Sequence, residues 1–182
     1  MRIDRIQNSL RRVIQGLGAF LALTLLSASA SHATTVSVSG RQLLVNCSPF
    51  LVRGMNYGPT PIGTSSYEWA SNIDVCNADF AQMKTMGVNA IRVYFNYSAL
   101  FLSAGVVNPD MKANYDRVLA SAAANGLYVI VQYAVPYGVD YSVAGNLTTQ
   151  ETRFEAIINL FKNSGAYPAI LMWVFSNENN NN

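Results

Sequence analysis

The sequence predicts an α/β fold in which strands and helices alternate along the chain. Glycines at positions 87, 126 and 165 recur every 39 residues, each after a helical pattern and before an apolar run. These runs, at 88–95, 127–133 and 170–176, are apolar almost throughout, as is typical of strands buried on both faces of a parallel sheet. The composition, 51% apolar and 12% charged, favours a packed domain over a disordered chain or a nucleic-acid-binding protein.

The first 33 residues have the pattern of an export signal. A basic stretch precedes an apolar core at 16–26, and small residues follow up to Ala33, the predicted cleavage point. A membrane span needs about 20 apolar residues, so a cleaved signal is favoured over an uncleaved anchor. Cleavage changes the formal charge from +2 to −1, so charge indicates no nucleic-acid partner. We expect a secreted or periplasmic protein with no membrane contact after cleavage.

The histidine and cysteine content restricts the chemistry. His32 is the only histidine and lies beside the predicted cleavage point, which excludes Ser-His-Asp and Cys-His catalytic units and histidine-ligated metals from the mature chain. Two cysteines cannot form a four-thiolate zinc site, and no metal or organic cofactor is predicted. Acid-base chemistry therefore falls to carboxylates, Tyr or Lys. Cys47 and Cys76 could form a disulfide in an oxidising compartment or remain as two buried free thiols.

Residues 34–49 precede the alternating region and predict a separate β-hairpin lid that turns at Ser39–Gly40. Residues 50–57 then predict the first strand of the parallel sheet. The following segment, 58–63, contains two prolines and no helix start. It therefore does not match the glycine-rich phosphate loop of a nucleotide-binding doubly wound sheet.

Three helices are predicted between the strands. The first spans 73–86, and the second begins with Asn108 as the cap and Pro109 in the first turn. The third begins with Thr148 and Glu151 in capping-box spacing. The three periodic glycines are predicted to end the helices. The predicted buried faces comprise Phe80 and Met83, then Met111, Tyr115, Val118, Leu119 and Ala122, and finally Phe154, Ile157, Ile158 and Phe161.

Polar residues occur on what should be the inner face of the sheet. Alternation places Arg92 and Tyr94 on one face of their strand, and Gln132 on the same face of the next. An unpaired buried guanidinium costs several kcal/mol, so Arg92 should face a carboxylate or an anionic ligand. A purely structural ion pair would satisfy the same requirement.

The last apolar run leads directly into Asn177 and Glu178. In a barrel, catalytic groups gather at this carboxyl edge of the strands. Alternation alone would send the two side chains to opposite faces, so both reach one pocket only if the strand bends or bulges. These polar positions favour a closed eight-stranded barrel over a doubly wound sheet or a smaller open α/β layer.

Four segments carry a family resemblance: LLVNCSPFLVRGMNYGP, MGVNAIRVYF, GLYVIVQY and YPAILMWVFSNEN. Together they resemble retaining glycoside hydrolases with a (β/α)8 barrel, especially the family two catalytic domain and its family five and glucanosyltransferase relatives. The resemblance implies that Glu178 is the general acid/base, that Asn177 contacts the sugar 2-hydroxyl, and that Arg92 orients the nucleophilic carboxylate. Its implied substrate is an oligo- or polysaccharide. Cys47 stands where that family pattern usually has glycine.

Tyrosines at the predicted strand ends are candidates for stacking on sugar rings. Tyr57, Tyr94 and Tyr133 are the predicted substrate-binding residues, and Tyr97 and Tyr137 lie just beyond strand ends.

The resemblance also implies that the nucleophile lies near the end of a seventh strand. A whole barrel takes about 250 residues, whereas this chain has 182 and reaches only a fourth strand. We therefore predict the amino-terminal half of a (β/α)8 barrel (strands 1–4) at 50–182, after a signal at 1–33 and a short hairpin at 34–49. Its function would be that of a secreted glycosidase or transglycosylase. The alternative is a non-catalytic carbohydrate-binding half barrel that self-associates through its open edges.

Overall fold

The computed structural model describes residues 34–60, 69–102, 105–136, 138–165 and 167–176. Strands β1 (Val36–Ser39), β2 (Gln42–Val45) and β3 (Ser48–Pro49) form an antiparallel sheet. Strands β4 (Gly54–Asn56), β5 (Ala90–Phe95), β6 (Tyr128–Tyr133) and β7 (Ile170–Phe175) form a parallel sheet in chain order. Between the parallel strands lie helices α1 (Ile73–Thr85), α2 (Tyr97–Leu100), α3 (Pro109–Ala124) and α4 (Asn146–Phe161). The predicted α/β alternation is therefore confirmed, while the predicted signal at 1–33 lies outside the described residues.

The main core lies between the parallel sheet and its helices. Ile91, Val93 and Phe95 of β5 are buried in this core, whereas Arg92 and Tyr94 are half-buried. β6 alternates in the same way, with Val129, Val131 and Tyr133 in the core. The other face of each strand is thus the inner face of the sheet.

For two of the three predicted helices, the observed boundaries agree with the capping and stop signals in the sequence. Asn108 caps α3 by accepting a hydrogen bond from the Met111 backbone N–H at 3.3 Å. Gly87 and Gly126 have φ of 78° and 72°, the left-handed geometry of helix stops. The predicted start at Thr148 is wrong, because α4 already begins at Asn146, after Gly145. Its end is also earlier than Gly165, since α4 stops at Phe161.

The amino-terminal sheet lies at the amino ends of the parallel strands. The Thr34 hydroxyl donates to the Pro168 carbonyl at 2.6 Å, just before β7. The Phe50 ring meets the Tyr128 ring edge-on at 5.3 Å, at the start of β6. Residues 36–49 thus form three strands rather than one hairpin, at the end of the sheet opposite the carboxyl edge.

β4 is shorter than the predicted strand at 50–57 because a side chain occupies part of its hydrogen-bonding edge. The Asn89 amide donates to the Leu51 carbonyl at 2.8 Å and accepts from the Arg53 N–H at 2.7 Å. Regular pairing with β5 begins only at Gly54.

The two cysteines do not form a disulfide. Cys47 is exposed in the turn before β3, and Cys76 is buried in α1. Burial raises the pKa of the Cys76 thiol. Among the helices in the described ranges, none has the length and apolar content needed to cross a membrane.

Candidate active site

A cavity of about 330 Å³ opens at the carboxyl ends of β4 and β5. This volume falls within the range of ligand-binding pockets, roughly 300–1,000 Å³. The cavity is lined by residues from β4, β5 and the segments that follow β4: Asn56, Tyr57, Gly58, Thr60, Trp69 and Tyr94.

Arg92 and Tyr94 share the inner face of β5, as alternation predicts. The guanidinium carbon of Arg92 lies 5.8 Å from the centre of the Tyr94 ring, within the range of a cation–π contact. Asn56, the last residue of β4, is the register partner of Arg92. The cavity therefore combines an aromatic ring and an amide beside a guanidinium.

Tyr57 lines the cavity, but its hydroxyl is hydrogen-bonded to a helix residue that does not line the cavity. Its hydroxyl donates to Oδ2 of Asp79 on α1 at 2.9 Å, and its ring packs against Phe80 at 5.1 Å. Burial, reinforced by the Cys76 thiol and the Asp79 carboxylate, raises the pKa of Tyr57 far above its usual range. Tyr57 thus forms part of the cavity wall as an uncharged side chain, and its hydroxyl already has a hydrogen-bond partner.

Trp69 is a cavity residue that the sequence reasoning missed. It lies in a short 3-10 turn before α1, and its indole N–H donates to the Tyr94 carbonyl at 3.1 Å. The side chain is almost fully buried, with 4% of its surface exposed. Trp69 therefore fixes the backbone of β5 at the point where Tyr94 enters the cavity. An aromatic residue between a strand and the following helix was the available signal.

The predicted substrate-binding role of Tyr133 does not fit its position. Its side chain points to the helical face of the sheet, where its hydroxyl donates to Oε1 of Gln150 at 2.6 Å. The ring stacks on Phe154 at 5.8 Å and has no exposed surface. Alternation already placed Gln132, and not Tyr133, on the inner face. The position of Tyr133 at the strand end therefore predicted its surroundings less well than the alternation of side chains between the two faces of the strand.

Tyr97 also faces other protein groups. Its ring stacks on Phe101 at 4.6 Å and lies under the Arg153 guanidinium at 5.2 Å. Tyr137 lies outside the described residues.

Asn177 and Glu178 also lie outside the described residues, but β7 approaches them. Met172 and Val174 share the inner face with Ile130 and Gln132, their register partners on β6. Ser176 ends this alternation, because its φ is 65°, a left-handed value that is uncommon for a residue other than glycine. Such outliers concentrate at functional sites. The prediction that Asn177 and Glu178 reach one pocket requires a bend or bulge at the strand end. The left-handed φ of Ser176 is a departure from strand geometry at that point.

The described carboxylates do not face the cavity from a strand end. Asp74, Asp79, Asp110, Asp116, Glu151 and Glu155 lie on helices. Asp140 lies in the turn region after β6, where the Ser142 hydroxyl and N–H donate to it and lower its pKa. Within the described part of the chain, no three His, Cys, Asp or Glu side chains are grouped as metal ligands.

Comparison with known families gives a match over most of the chain. Residues 45–182 match the family described as Cellulase (glycosyl hydrolase family 5). This is one of the relatives expected from the sequence motifs, and the leading resemblance to the family two catalytic domain is not supported.

Curated relatives include two fungal enzymes. The 1,3-beta-glucanosyltransferase gas2 of Schizosaccharomyces pombe is 26% identical over an alignment of 159 residues, which covers 80% of this chain and 31% of the relative. The 1,3-beta-glucanosyltransferase GAS4 of Saccharomyces cerevisiae is 26% identical over an alignment of 121 residues, which covers 64% of this chain and 23% of the relative. The chain thus spans less than a third of the length of these relatives.

Solved structures show the same fold. An endocellulase from Pyrococcus horikoshii, in complex with cellotetraose, superposes with a TM-score of 0.51 at 18% identity, over 78% of this chain and 42% of that one. An endo-1,4-beta-mannanase from Eisenia fetida superposes with a TM-score of 0.54 at 15% identity, over 78% of this chain and 44% of that one. At these identities the likeness supports the fold alone, a parallel α/β sheet that corresponds to part of a barrel.

Proposed function

Because this chain belongs to glycosyl hydrolase family 5, we propose that it acts on the glycosidic bonds of an oligo- or polysaccharide by the retaining, two-carboxylate route. One observation carries the proposal. Arg92 and Tyr94 lie on the inner face at the carboxyl edge of a parallel sheet, where Tyr94 lines a cavity of about 330 Å³. β7 leads towards Asn177 and Glu178 from the same sheet.

In the proposed reaction, the protonated Glu178 carboxyl donates its proton to the leaving glycosidic oxygen. A second carboxylate attacks the anomeric carbon, and the bond to the leaving group breaks as the glycosyl-enzyme bond forms. Water then attacks the anomeric carbon while the Glu178 carboxylate takes its proton, and the glycosyl-enzyme bond breaks to release the sugar with retained configuration. Asn177 hydrogen-bonds the sugar 2-hydroxyl, and Arg92 orients the nucleophile. None of the carboxylates in the described part of the chain is assigned the nucleophilic role.

Transfer is the second proposed activity. Both curated relatives described above are named as glucanosyltransferases. An acceptor hydroxyl would replace water in the second step and give its proton to the same Glu178 carboxylate. Hydrolysis and transfer therefore use the same residues and differ in the group that enters the cavity.

The basic, apolar and small-residue succession at 1–33 supports a proposed secreted or periplasmic location, in which a polysaccharide substrate is accessible.

Glu178→Gln tests the acid/base role in a full-length version of the protein that includes the nucleophilic carboxylate, with Glu155→Gln on the exposed side of α4 as the matched control. Loss of a general acid should slow cleavage of an aryl glycoside with a poor leaving group by about 100-fold or more. An activated leaving group needs less protonation, so its cleavage should be affected less. The control should cleave both substrates as the parent does.

Two outcomes would contradict the proposal. Undiminished cleavage of the poor leaving group by Glu178→Gln would refute the acid/base assignment. Saccharide binding by the full-length parent without any turnover would instead support the carbohydrate-binding alternative.

A further inference from the structure

Gln132 is a polar side chain whose hydrogen-bonding groups are left unused. It lies on the inner face of β6 and has no exposed surface. Neither its Nε2 nor its Oε1 has a hydrogen-bond partner in the described part of the protein.

Burial of an amide without hydrogen-bond partners is unfavourable for the free energy of folding. A buried donor or acceptor without a partner is not compensated for the hydration it has lost, and buried side-chain polar atoms in proteins are rarely left without a partner. Gln150 shows the ordinary arrangement in the same domain. It is 4% exposed, and its Oε1 accepts from the Tyr133 hydroxyl. The cost at Gln132 therefore needs a compensating role.

The position of Gln132 connects it with the cavity. In the parallel register it lies between Tyr94 of β5 and Val174 of β7. Tyr94 lines the cavity, so the amide and the aromatic ring are neighbours on one face.

The chemistry of this pair suits a sugar. The amide offers donors and an acceptor, and a sugar hydroxyl is both an acceptor and a donor. The ring of Tyr94 offers an apolar surface with a polar tip.

We infer that Gln132 binds a hydroxyl group of the saccharide held in the cavity and contributes to the selection of that saccharide. The inference rests on the proposed function. Because the amide has no exposed surface, a ligand hydroxyl reaches it only after the side chains that cover it move. Binding then supplies hydrogen-bond partners to an amide that has none within the described part of the protein.

The inference predicts opposite effects on stability and on binding. Gln132→Met keeps a similar side-chain length but removes the amide, so the free protein should unfold at a higher urea concentration than the parent. Its affinity for a soluble β-1,3-linked glucan oligosaccharide, measured by calorimetric titration, should fall about threefold to tenfold, the loss of roughly one hydrogen bond.

Gln150→Met is the matched control, because it makes the same chemical change at a glutamine that has a partner. It should unfold at a lower urea concentration and bind the oligosaccharide as the parent does. Gln132→Leu is a second variant that also removes the amide. An effect shared by Gln132→Met and Gln132→Leu is due to loss of the amide and not to how the methionine side chain packs.

The outcomes separate this inference from the proposed function. If the parent binds and both Gln132 variants bind equally well, the inference is overturned and the proposed function is untouched. If both Gln132 variants lose stability to the same degree as Gln150→Met, the amide has a structural role and the inference is also overturned. If the parent itself binds no saccharide, the proposed function fails, and the inference fails with it.

Discussion

At the scale of single residues, the turn between β2 and β3 contains two left-handed residues in succession. Asn46 has a φ of 50° and Cys47 a φ of 63°, and this two-residue loop joins Val45 to its register partner Ser48. Loops of this type favour Asn followed by Gly, because a Cβ is strained at positive φ. Cys47 is therefore a strained residue at a position that suits glycine.

Cys47→Gly should raise the free energy of unfolding by roughly 0.5–1 kcal/mol, because relief of the backbone strain exceeds the entropy that glycine adds to the unfolded chain. The urea midpoint measures the change. Cys47→Ala removes the thiol but keeps the Cβ, so it should leave the midpoint close to that of the parent. An equal gain from both variants would show that the thiol, and not the backbone angle, is responsible.

Two buried tyrosines predict a loss of stability at alkaline pH. Burial raises the pKa of Tyr57 and of Tyr133, although the Arg153 guanidinium opposes the shift at Tyr133. Between the unfolded pKa near 10 and its raised folded pKa, each tyrosine stays protonated in the folded state but ionises in the unfolded chain. Their contribution to the free energy of unfolding is fully present below a pH of about 10 and declines as the pH rises from there through the raised folded pKa values.

Urea unfolding at several pH values between 8 and 11 measures that decline. Tyr57→Phe and Tyr133→Phe should each make the pH dependence shallower, although each also loses a hydrogen bond and some stability at pH 7. An unchanged slope in both variants would assign the alkaline transition to other groups, among them the buried Cys76 thiol, whose pKa is also raised.

At the scale of elements, the junction of β4 and β5 determines the geometry of the cavity wall. A Cβ at Gly54 would lie 2.8 Å from the Ala90 carbonyl oxygen, which is backbone and cannot move independently. Gly54 begins the short strand that ends at Asn56, a cavity residue.

Gly54→Ala should therefore separate the two strands and destabilise the protein by about 1–3 kcal/mol, the usual range for overpacking. Thermal unfolding measures the loss. Gly58→Ala is the matched control, since a Cβ there meets no atom within 4 Å. Equal melting temperatures for the parent and Gly54→Ala would contradict the close approach.

The elements that could be predicted were those specified by local pattern. The Asn108–Pro109 start of α3 and its buried face depend on capping and on helical periodicity, and the structure confirms both. The start of α4 could not be found in this way, because it follows a left-handed Gly145, with φ of 90°, in a loop whose shape is set by the Asn146 side chain and the Asp140 carbonyl.

Local sequence pattern likewise predicted only some of the residues at the cavity. Arg92 and Tyr94 were placed on the inner face by simple alternation, which needs no knowledge of the rest of the fold. Trp69 enters the cavity wall through a bond to the backbone of a strand 25 residues away, and no local pattern encodes that contact. The burial of Gln132, whose amide has no partner among the described residues, likewise depends on packing against strands that are distant in the chain.

At the scale of the whole molecule, β4 and β7 are the outer strands of the described parallel sheet. All three residues of β4 are exposed, Met55 among them, and the apolar side chains of Leu51 and Val52 just before the strand are exposed as well. An exposed apolar edge strand is a surface on which another strand can pair. We therefore expect association of this chain at high concentration.

Met55→Lys should reduce that association, because a charge on an edge strand opposes pairing with a second edge. Sedimentation velocity across a range of concentrations gives the mass. Met86→Lys, at an exposed helix end, is the control for added charge and should associate as the parent does. Identical mass distributions for the parent and Met55→Lys would exclude β4 as the contact.

The contacts of Thr34 with the Pro168 carbonyl and of Phe50 with Tyr128 have a practical consequence for experiments on this protein. They bring the described amino terminus to the side of the sheet that faces away from the cavity mouth. A reporter or surface tether joined ahead of residue 34 would therefore leave the mouth open to a long polymeric ligand. Immobilisation by that end is the orientation to choose when such a ligand is offered from solution.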